Sequence, residues 1–189
     1  WVWKTWAWET ALDQLREECE QDDARLSAYE FDQVREGSPR LVDVLLRSEV
    51  VVFEPLWTLI PSNKAIMAVL WMLFPEHPFL LNTQFSLTDE LKTKGFAEKP
   101  IAGRCGHNIS LIDQDKVLES TGGRFEHQDL IYQELFMLPR IDDLNMQLCC
   151  FTVEGSYAGT CMRTDTTALI TKDSDLLPMR IVEDDDFQS

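Results

Sequence analysis

The stretch Phe96-Ala97-Glu98-Lys99-Pro100-Ile101-Ala102-Gly103-Arg104-Cys105-Gly106 reads as a short strand ending on a lysine and a proline, followed by a glycine-punctuated loop with an arginine inside. Two glycines let backbone N–H groups turn toward an anion, and the flanking cations supply charge. The expected role is a nucleotide phosphate loop. Gly-rich turns without a ligand are common, so the rest of the chain has to decide.

A second cation stands in a comparable place. In Ile60-Pro61-Ser62-Asn63-Lys64-Ala65, Ser62 is a good N-cap, and the apolar run Ala65 to Phe74 predicts a buried helix stopped by Pro75. Lys64 then falls in the first turn, where the helix dipole is already positive. A bound anion would relieve that conflict; a lysine that simply reaches solvent accounts for it equally well.

Beyond Thr88 to Lys94, a short helix, the chain reads as a mainly antiparallel sheet. Strands are expected at Gly95 to Ile101, Asn108 to Ile112, Leu130 to Leu135, Met146 to Val153, Ser156 to Cys161 and Ala168 to Ile170. Turn signals stand at Gly122-Gly123, Asp142-Asp143 and Glu154-Gly155. The first half is mainly helical. Trp8, Ala11, Leu12, Leu15 and Cys19 recur at helical spacing, so Trp1 to about Glu20 predicts an amphipathic helix with Trp3 and Trp8 toward the core. Gln21 to Pro39 is a loop or solvated helix. Leu41 to Leu46 is a short apolar run, Val50 to Phe53 predicts a buried strand, and Pro78 to Phe85 a loop or short strand.

Composition narrows the function classes. In 189 residues, 44% are hydrophobic and the net charge is −16, which suits a folded domain and argues against nucleic acid or an anionic membrane as partner. An acidic surface suits a cationic partner such as a polyamine, and solubility explains it as well. The longest apolar run is too short for a bilayer, no signal peptide is evident, and the expected compartment is cytoplasmic. Cys19, Cys105, Cys149, Cys150 and Cys161 form no C-x-x-C or zinc spacing and read as reduced thiols; neighbours such as Cys149 and Cys150 point to opposite faces of a strand. His77, His107 and His127 stand apart, without a serine elbow or cysteine nucleophile motif, and no Walker A or G-x-G-x-x-G pattern occurs. What remains is a dispersed set of cations, Lys64, Lys99, Arg104 and Arg163, with Gln133-Glu134 between them.

These residues reach a family. Trp3-Lys4-Thr5-Trp6-Ala7-Trp8-Glu9-Thr10-Ala11-Leu12, Phe53-Glu54-Pro55-Leu56-Trp57, Ile60 to Ala65, Lys99 to Gly106 and Gly159-Thr160-Cys161-Met162-Arg163 resemble, in the same order, the C-terminal segment of glutathionylspermidine synthases, and most closely the synthetase half of the bifunctional synthetase/amidase type. The resemblance implies an α+β fold that is part of a permuted ATP-grasp domain, over 1–182, with 183–189 an acidic tail. It implies an ATP-dependent ligase that joins the glycine carboxylate of glutathione to an amine of spermidine.

Carried residue by residue, Lys64 and Lys99 resemble two lysines on the ATP phosphates, with Cys105 and Gly106 in the loop over them. Gln133, Glu134, Leu135 and Phe136 resemble the adenine hinge, Gln147 lies on the facing strand, and Ala168 offers backbone. Arg163 resembles the catalytic arginine on the transferred phosphoryl group. Thr10, with Thr5 beside it, resembles a glutathione contact, and Asp175 a carboxylate facing spermidine. Arg104 reads as well as a surface residue of the loop, and Asp175 as a helix cap. The Mg2+ ligands are expected upstream of this segment, so the chain alone is expected to be inactive. It opens at Trp1-Val2-Trp3 without an initiator methionine and is read as part of a longer protein. Two alternatives stay open, a non-catalytic nucleotide- or polyamine-binding paralogue and a related ligase with a different amine. Oligomeric state is open too, a homodimer included.

Overall fold

The computed structural model describes residues 1–4, 8–9, 11–12, 41–180 and 182. The chain divides into two compact units, Trp1–Asn63 and Lys64–Ser189.

The first unit is small. Strand β1 (Val2–Trp3) pairs in parallel with β2 (Val52–Phe53), Val2 opposite Val52. Trp8, Glu9, Ala11 and Leu12 are helical, so the helix expected from Trp1 does not include the first residues, which are extended instead. Trp8 and Ala11 are buried with Val42 and Leu45 of helix α1 (Leu41–Leu45), whereas Trp3 is 84% exposed. Trp3 follows strand rather than helical geometry, and its ring faces outward. The strand expected at Val50 to Phe53 exists as two residues and is not buried, Val51 and Phe53 being half-exposed. Lys4 is buried; its Nζ pairs with Glu54 Oε2 at 2.9 Å and lies 5.0 Å from the Trp8 ring centroid. The Trp8 indole N–H donates to Glu54 O at 3.0 Å. A buried ammonium needs such an opposing carboxylate and ring face. A single 3-10 turn, Leu56–Thr58, leads into helix α2 (Leu59–Ser62). Ser62 ends this helix rather than capping the next, and its hydroxyl donates to Glu9 Oε1 at 2.8 Å.

The second unit begins with helix α3 (Ala65–Leu73), for which Lys64 is the N-cap residue rather than a member of the first turn. Only Ala68 of α3 is buried, and Met72 and Leu73 are well exposed. The expectation of a buried helix is therefore corrected. Every residue of α3 is apolar, so the sequence carries no polar face to mark the side that meets solvent. After β3 (Thr83–Gln84), helix α4 (Asp89–Lys94) starts where Thr88 Oγ1 accepts from the Leu91 N–H at 3.3 Å. Acidic Asp89 and Glu90 in its first turn and Lys92 and Lys94 in its last suit the helix dipole.

Two antiparallel sheets follow. The first has the order β3-β7-β4-β5-β6, from β4 (Phe96–Pro100), β5 (Ser110–Asp113), β6 (Lys116–Ser120) and β7 (Leu130–Glu134). The second has the order β11-β10-β9-β8, from β8 (Arg140–Ile141), β9 (Leu144–Val153), β10 (Ser156–Asp165) and β11 (Asp175–Pro178). Three two-residue connections join neighbours, Gln114-Asp115, Asp142-Asp143 and Glu154-Gly155, each with positive φ at both residues. That is the turn whose twist matches a hairpin.

Gly122-Gly123 makes no such turn. Gly123 lies against His107, where an added Cβ would stand 2.4 Å from Nδ1. The strand expected at Ala168 to Ile170 is a loop instead. Asp165 accepts from the Thr167 N–H and Oγ1, both at 3.0 Å, and Asn145 Nδ2 donates to Thr167 O at 2.9 Å. Side chains that bond the local backbone compete with a ladder. The core of this unit is Ala97, Leu111 and Leu169, with Ile109, Leu135 and Ala168 packed on it. No single helix among the described residues is long and apolar enough to cross a membrane.

Candidate functional site

That core forms part of the lining of a cavity of about 320 Å3. Ala97 and Lys99 reach it from β4, Gln133 from β7, Gln147 from β9 and Leu111 from β5; Glu134 to Leu138 run along it and Ala168 to Ile170 line it too. Alternation along a strand sends Ala97 and Lys99 to one face, and Gln133, opposite Ala97, shares that face. Seven expected site residues meet here: Lys99, Gln133, Glu134, Leu135, Phe136, Gln147 and Ala168.

The polar contacts are specific. Lys99 Nζ donates to Gln133 Oε1 at 2.5 Å, while Gln133 Nε2 donates to Thr83 Oγ1 at 3.0 Å. Gln133 is buried and uses both ends of its amide. Among the described residues no carboxylate pairs with Lys99. Burial first, and then the Lys64 ammonium, bring the Lys99 pKa down to about 8. Desolvation and a like charge both disfavour the protonated form. The Glu134 N–H donates to Asn82 O at 2.7 Å and the Leu135 N–H to Gly95 O at 3.0 Å. The Ala168 N–H donates to Glu119 Oε2 at 2.8 Å. These three amides are therefore already engaged.

The loop after β4 is pinned at several points. Ile101 N–H donates to Asp129 O and Lys64 N–H to Ile101 O, each at 2.8 Å. Lys64 Nζ donates to Gly103 O at 2.6 Å, and Thr121 Oγ1 donates to Gly106 O at 2.5 Å. Cys105 and Gly106 are both left-handed, with φ of 54° and 73°. A Cβ on Gly106 would stand 2.8 Å from Ile170 O, so this glycine is required both by its φ and by close approach. Arg163 Nη2 donates to Thr171 O, in the segment that Gly106 touches. The loop bearing Lys64's acceptor and the segment held by Arg163 thus meet at Gly106 and Ile170. His107 Nδ1 is buried without a hydrogen-bond partner.

Other expected residues lie elsewhere. Cys105 is exposed. Asp175 opens β11 opposite Thr164 and is exposed, so it caps no helix. Thr5 and Thr10, the segment 13–40 and the tail 183–189 lie outside the described residues. Sequence reading missed Leu81, Ile109, Leu111, Met137, Leu138, Leu169 and Ile170 as cavity residues. Their only signal is apolar character, which core and site share. Among the described residues no group of three His, Cys, Asp or Glu side chains could hold a metal ion.

A family profile described as glutathionylspermidine synthase preATP-grasp matches residues 12–182. The chain belongs to the glutathionylspermidine synthase family. It is 52% identical to the bifunctional glutathionylspermidine synthetase/amidase of Escherichia coli (strain K12), over 96% of this chain and 29% of that relative. It is 37% identical to the trypanothione synthetase of Crithidia fasciculata, over 95% of this chain and 27% of that protein. A glutathionylspermidine synthase of the same organism is 26% identical, over 97% of this chain and 30% of the relative. The chain thus spans about three-tenths of the length of the curated relatives it matches.

Proposed function

We propose that the full-length protein is an ATP-dependent ligase that joins the glycine carboxylate of glutathione to an amine of spermidine, and that this chain supplies the nucleotide side of a permuted ATP-grasp site. The observation that carries the reading is the cavity in which Lys99, Gln133, Glu134 to Phe136, Gln147 and Ala168 converge from separate stretches of sequence. Its volume suits the base and sugar of a nucleotide. The phosphates would extend toward Lys99, Lys64 and the loop at Cys105-Gly106.

A carboxylate is a poor electrophile and must be activated. Its oxygen attacks the γ-phosphorus, ADP leaves, and the acyl phosphate carries a good leaving group. The neutral amine then attacks the acyl carbon, and phosphate departs. Charge that builds on the phosphoryl oxygens needs fixed cations in a site with little water. Lys99, oriented by Gln133, and Lys64 are two such cations. A phosphate beside Lys99 would offset the burial and the Lys64 charge that lower its pKa, and so hold its ammonium form. Arg163 steadies the transferred phosphoryl group as its catalytic contact. Because the Glu134, Leu135 and Ala168 amides are engaged, a base edge is read by other backbone groups of this segment. Thr10 and Thr5 serve glutathione, and Asp175 serves the polyamine. The described residues do not fit an Mg2+ site; the share of charge stabilisation that falls to this chain rests on its lysines and Arg163.

The test is ADP release by the full-length protein. Release that requires both glutathione and spermidine supports the ligase. ATP binding without turnover replaces it with a non-catalytic paralogue, and turnover with another amine replaces spermidine as the substrate.

A further inference from the structure

Cys149 on β9 and Cys161 on β10 stand directly opposite each other in the antiparallel ladder. Both are free thiols and both are partly exposed. Opposed antiparallel residues have Cα atoms about 4.5 or 5.5 Å apart, depending on the type of pair, and both separations lie within the span of a disulfide. The register is continuous from Gly159 opposite Phe151 to Asp165 opposite Asn145; its one irregularity lies earlier, between Tyr157 and Gly159. The pair therefore sits in regular ladder, where both side chains leave the same face. Two residues along, Arg163 opposes Gln147 on that face. Cys150, by contrast, opposes Thr160 on the other face, and the Thr160 hydroxyl donates to its sulfur at 3.8 Å.

We propose that Cys149 and Cys161 are a modification site, a thiol pair that closes to a reversible disulfide by exchange with a low-molecular-weight disulfide. One thiolate attacks a sulfur of the reagent, forms a mixed disulfide and expels the first small thiol. The opposed thiolate attacks the protein sulfur of that mixed disulfide, closes the Cys149–Cys161 bond and expels the second. Two protein thiols are oxidised by two electrons, the reagent disulfide is reduced to two thiols, and the two protein protons pass to them. Burial chiefly, and then the Cys161 thiol, push the Cys149 thiol above its ordinary range, with the Arg163 guanidinium opposing. Exchange is therefore slow at neutral pH and speeds up in mild alkali, as thiolate forms. The chemistry is independent of the nucleotide reading; only its bearing on Gln147 and Arg163 as site residues rests on it.

The full-length protein is incubated with glutathione disulfide at pH 7, 8 and 9, the remaining thiols are alkylated, and the chain is cut at glutamate. Cleavage after Glu154 separates Cys149 and Cys150 from Cys161, which a tryptic digest does not. The expected result is a cross-linked pair of peptides, undone by dithiothreitol, whose rate of formation rises up to about tenfold per pH unit. Cys150→Ser retains the link and Cys161→Ser abolishes it. The proposal is overturned if Cys149 and Cys161 stay open to alkylation while exposed Cys105 takes up glutathione. A link that runs to Cys150 or Cys105 overturns it as well.

Discussion

Lys99 Nζ rests 2.5 Å from Gln133 Oε1 although the strand register sets Lys99 opposite Ile131. The lysine reaches diagonally along the face of the sheet to an amide that Thr83 holds from behind. A flexible four-carbon stem is thereby fixed at the edge of the cavity, and its charge is set in place before any ligand arrives. That arrangement is costly to the folded chain and useful to an anion.

Replacing the lysine separates these two consequences. In Lys99→Met, ATP affinity of the full-length protein is expected to fall by at least about tenfold, through loss of a fixed charge contact. The unliganded protein should change little in stability. Removing a buried cation offsets the lost hydrogen bond to Gln133, each worth roughly 2–3 kcal/mol. Calorimetric titration with ATP and thermal melts without it give the two numbers. A large fall in melting temperature with unchanged ATP affinity would make Lys99 a structural residue.

The depressed pKa gives a pH signature. An unfolded Lys99 holds its proton to about 10.5, whereas the folded chain releases it at about 8. Between those values the unfolded state binds more protons, so stability contributed by this group rises with pH. Below 8 the penalty is constant, and above 10.5 it has gone. Its full size is on the order of 3 kcal/mol. Melts of the wild type and Lys99→Met, nearly equal at about pH 7.5, should therefore separate in favour of the wild type as pH rises to about 10. In the same window ATP binding should take up a proton, read from the dependence of binding heat on the buffer's ionisation enthalpy.

Gly106 tests the loop. In Gly106→Ala the new methyl meets Ile170 O, and a left-handed φ must be held by an L residue. The expected cost is roughly 1–3 kcal/mol of local strain, relieved by movement of the loop away from Ile170. ATP affinity should weaken while the melting temperature of the unliganded protein falls by only a few degrees. Wild-type affinity in this variant would separate the loop from nucleotide binding.

How much of this was legible in sequence follows from the range of each signal. Hairpin turns at Asp142-Asp143 and Glu154-Gly155 declare themselves locally, and β9 and β10 lie within about four residues of the strands expected there, whereas the two-residue β8 before Asp142-Asp143 is too short to carry a pattern. The short helix expected at Thr88 to Lys94 runs from Asp89 to Lys94, with Thr88 as its cap rather than its first residue. Trp3 and Ser62 depart from expectation because local pattern does not carry the competing partner, Phe53 in parallel pairing for one and the helix Leu59–Ser62 for the other. The apolar run Ala65 to Leu73 gave a helix correctly and its burial wrongly, since periodicity cannot report what covers a face. At the site, Lys99 and Gln133 were named from resemblance, but their contact depends on a diagonal across two strands separated by more than thirty residues. The engaged amides of Glu134 and Leu135 were not legible at all, because Asn82 and Gly95 come from elements that pattern alone does not bring there.

Arg163 carries the most direct prediction about chemistry. Its guanidinium is fixed from β10 to the Thr171 carbonyl, which leaves further N–H donors on the same fork for a phosphoryl oxygen. A group that acts on the transferred phosphoryl matters more in the transition state than in bound ATP. Arg163→Ala in the full-length protein is therefore expected to keep ATP affinity within a few-fold and to lower kcat by at least about a hundredfold. Arg163→Lys should recover only part of the loss, since an ammonium lacks the planar fork that can hold Thr171 O and a phosphate together. Single-turnover ADP formation with glutathione and spermidine present measures the chemical step apart from product release. Turnover near wild type in Arg163→Ala would leave its bond to Thr171 as a strut for the segment beside Gly106, with no part in phosphoryl transfer.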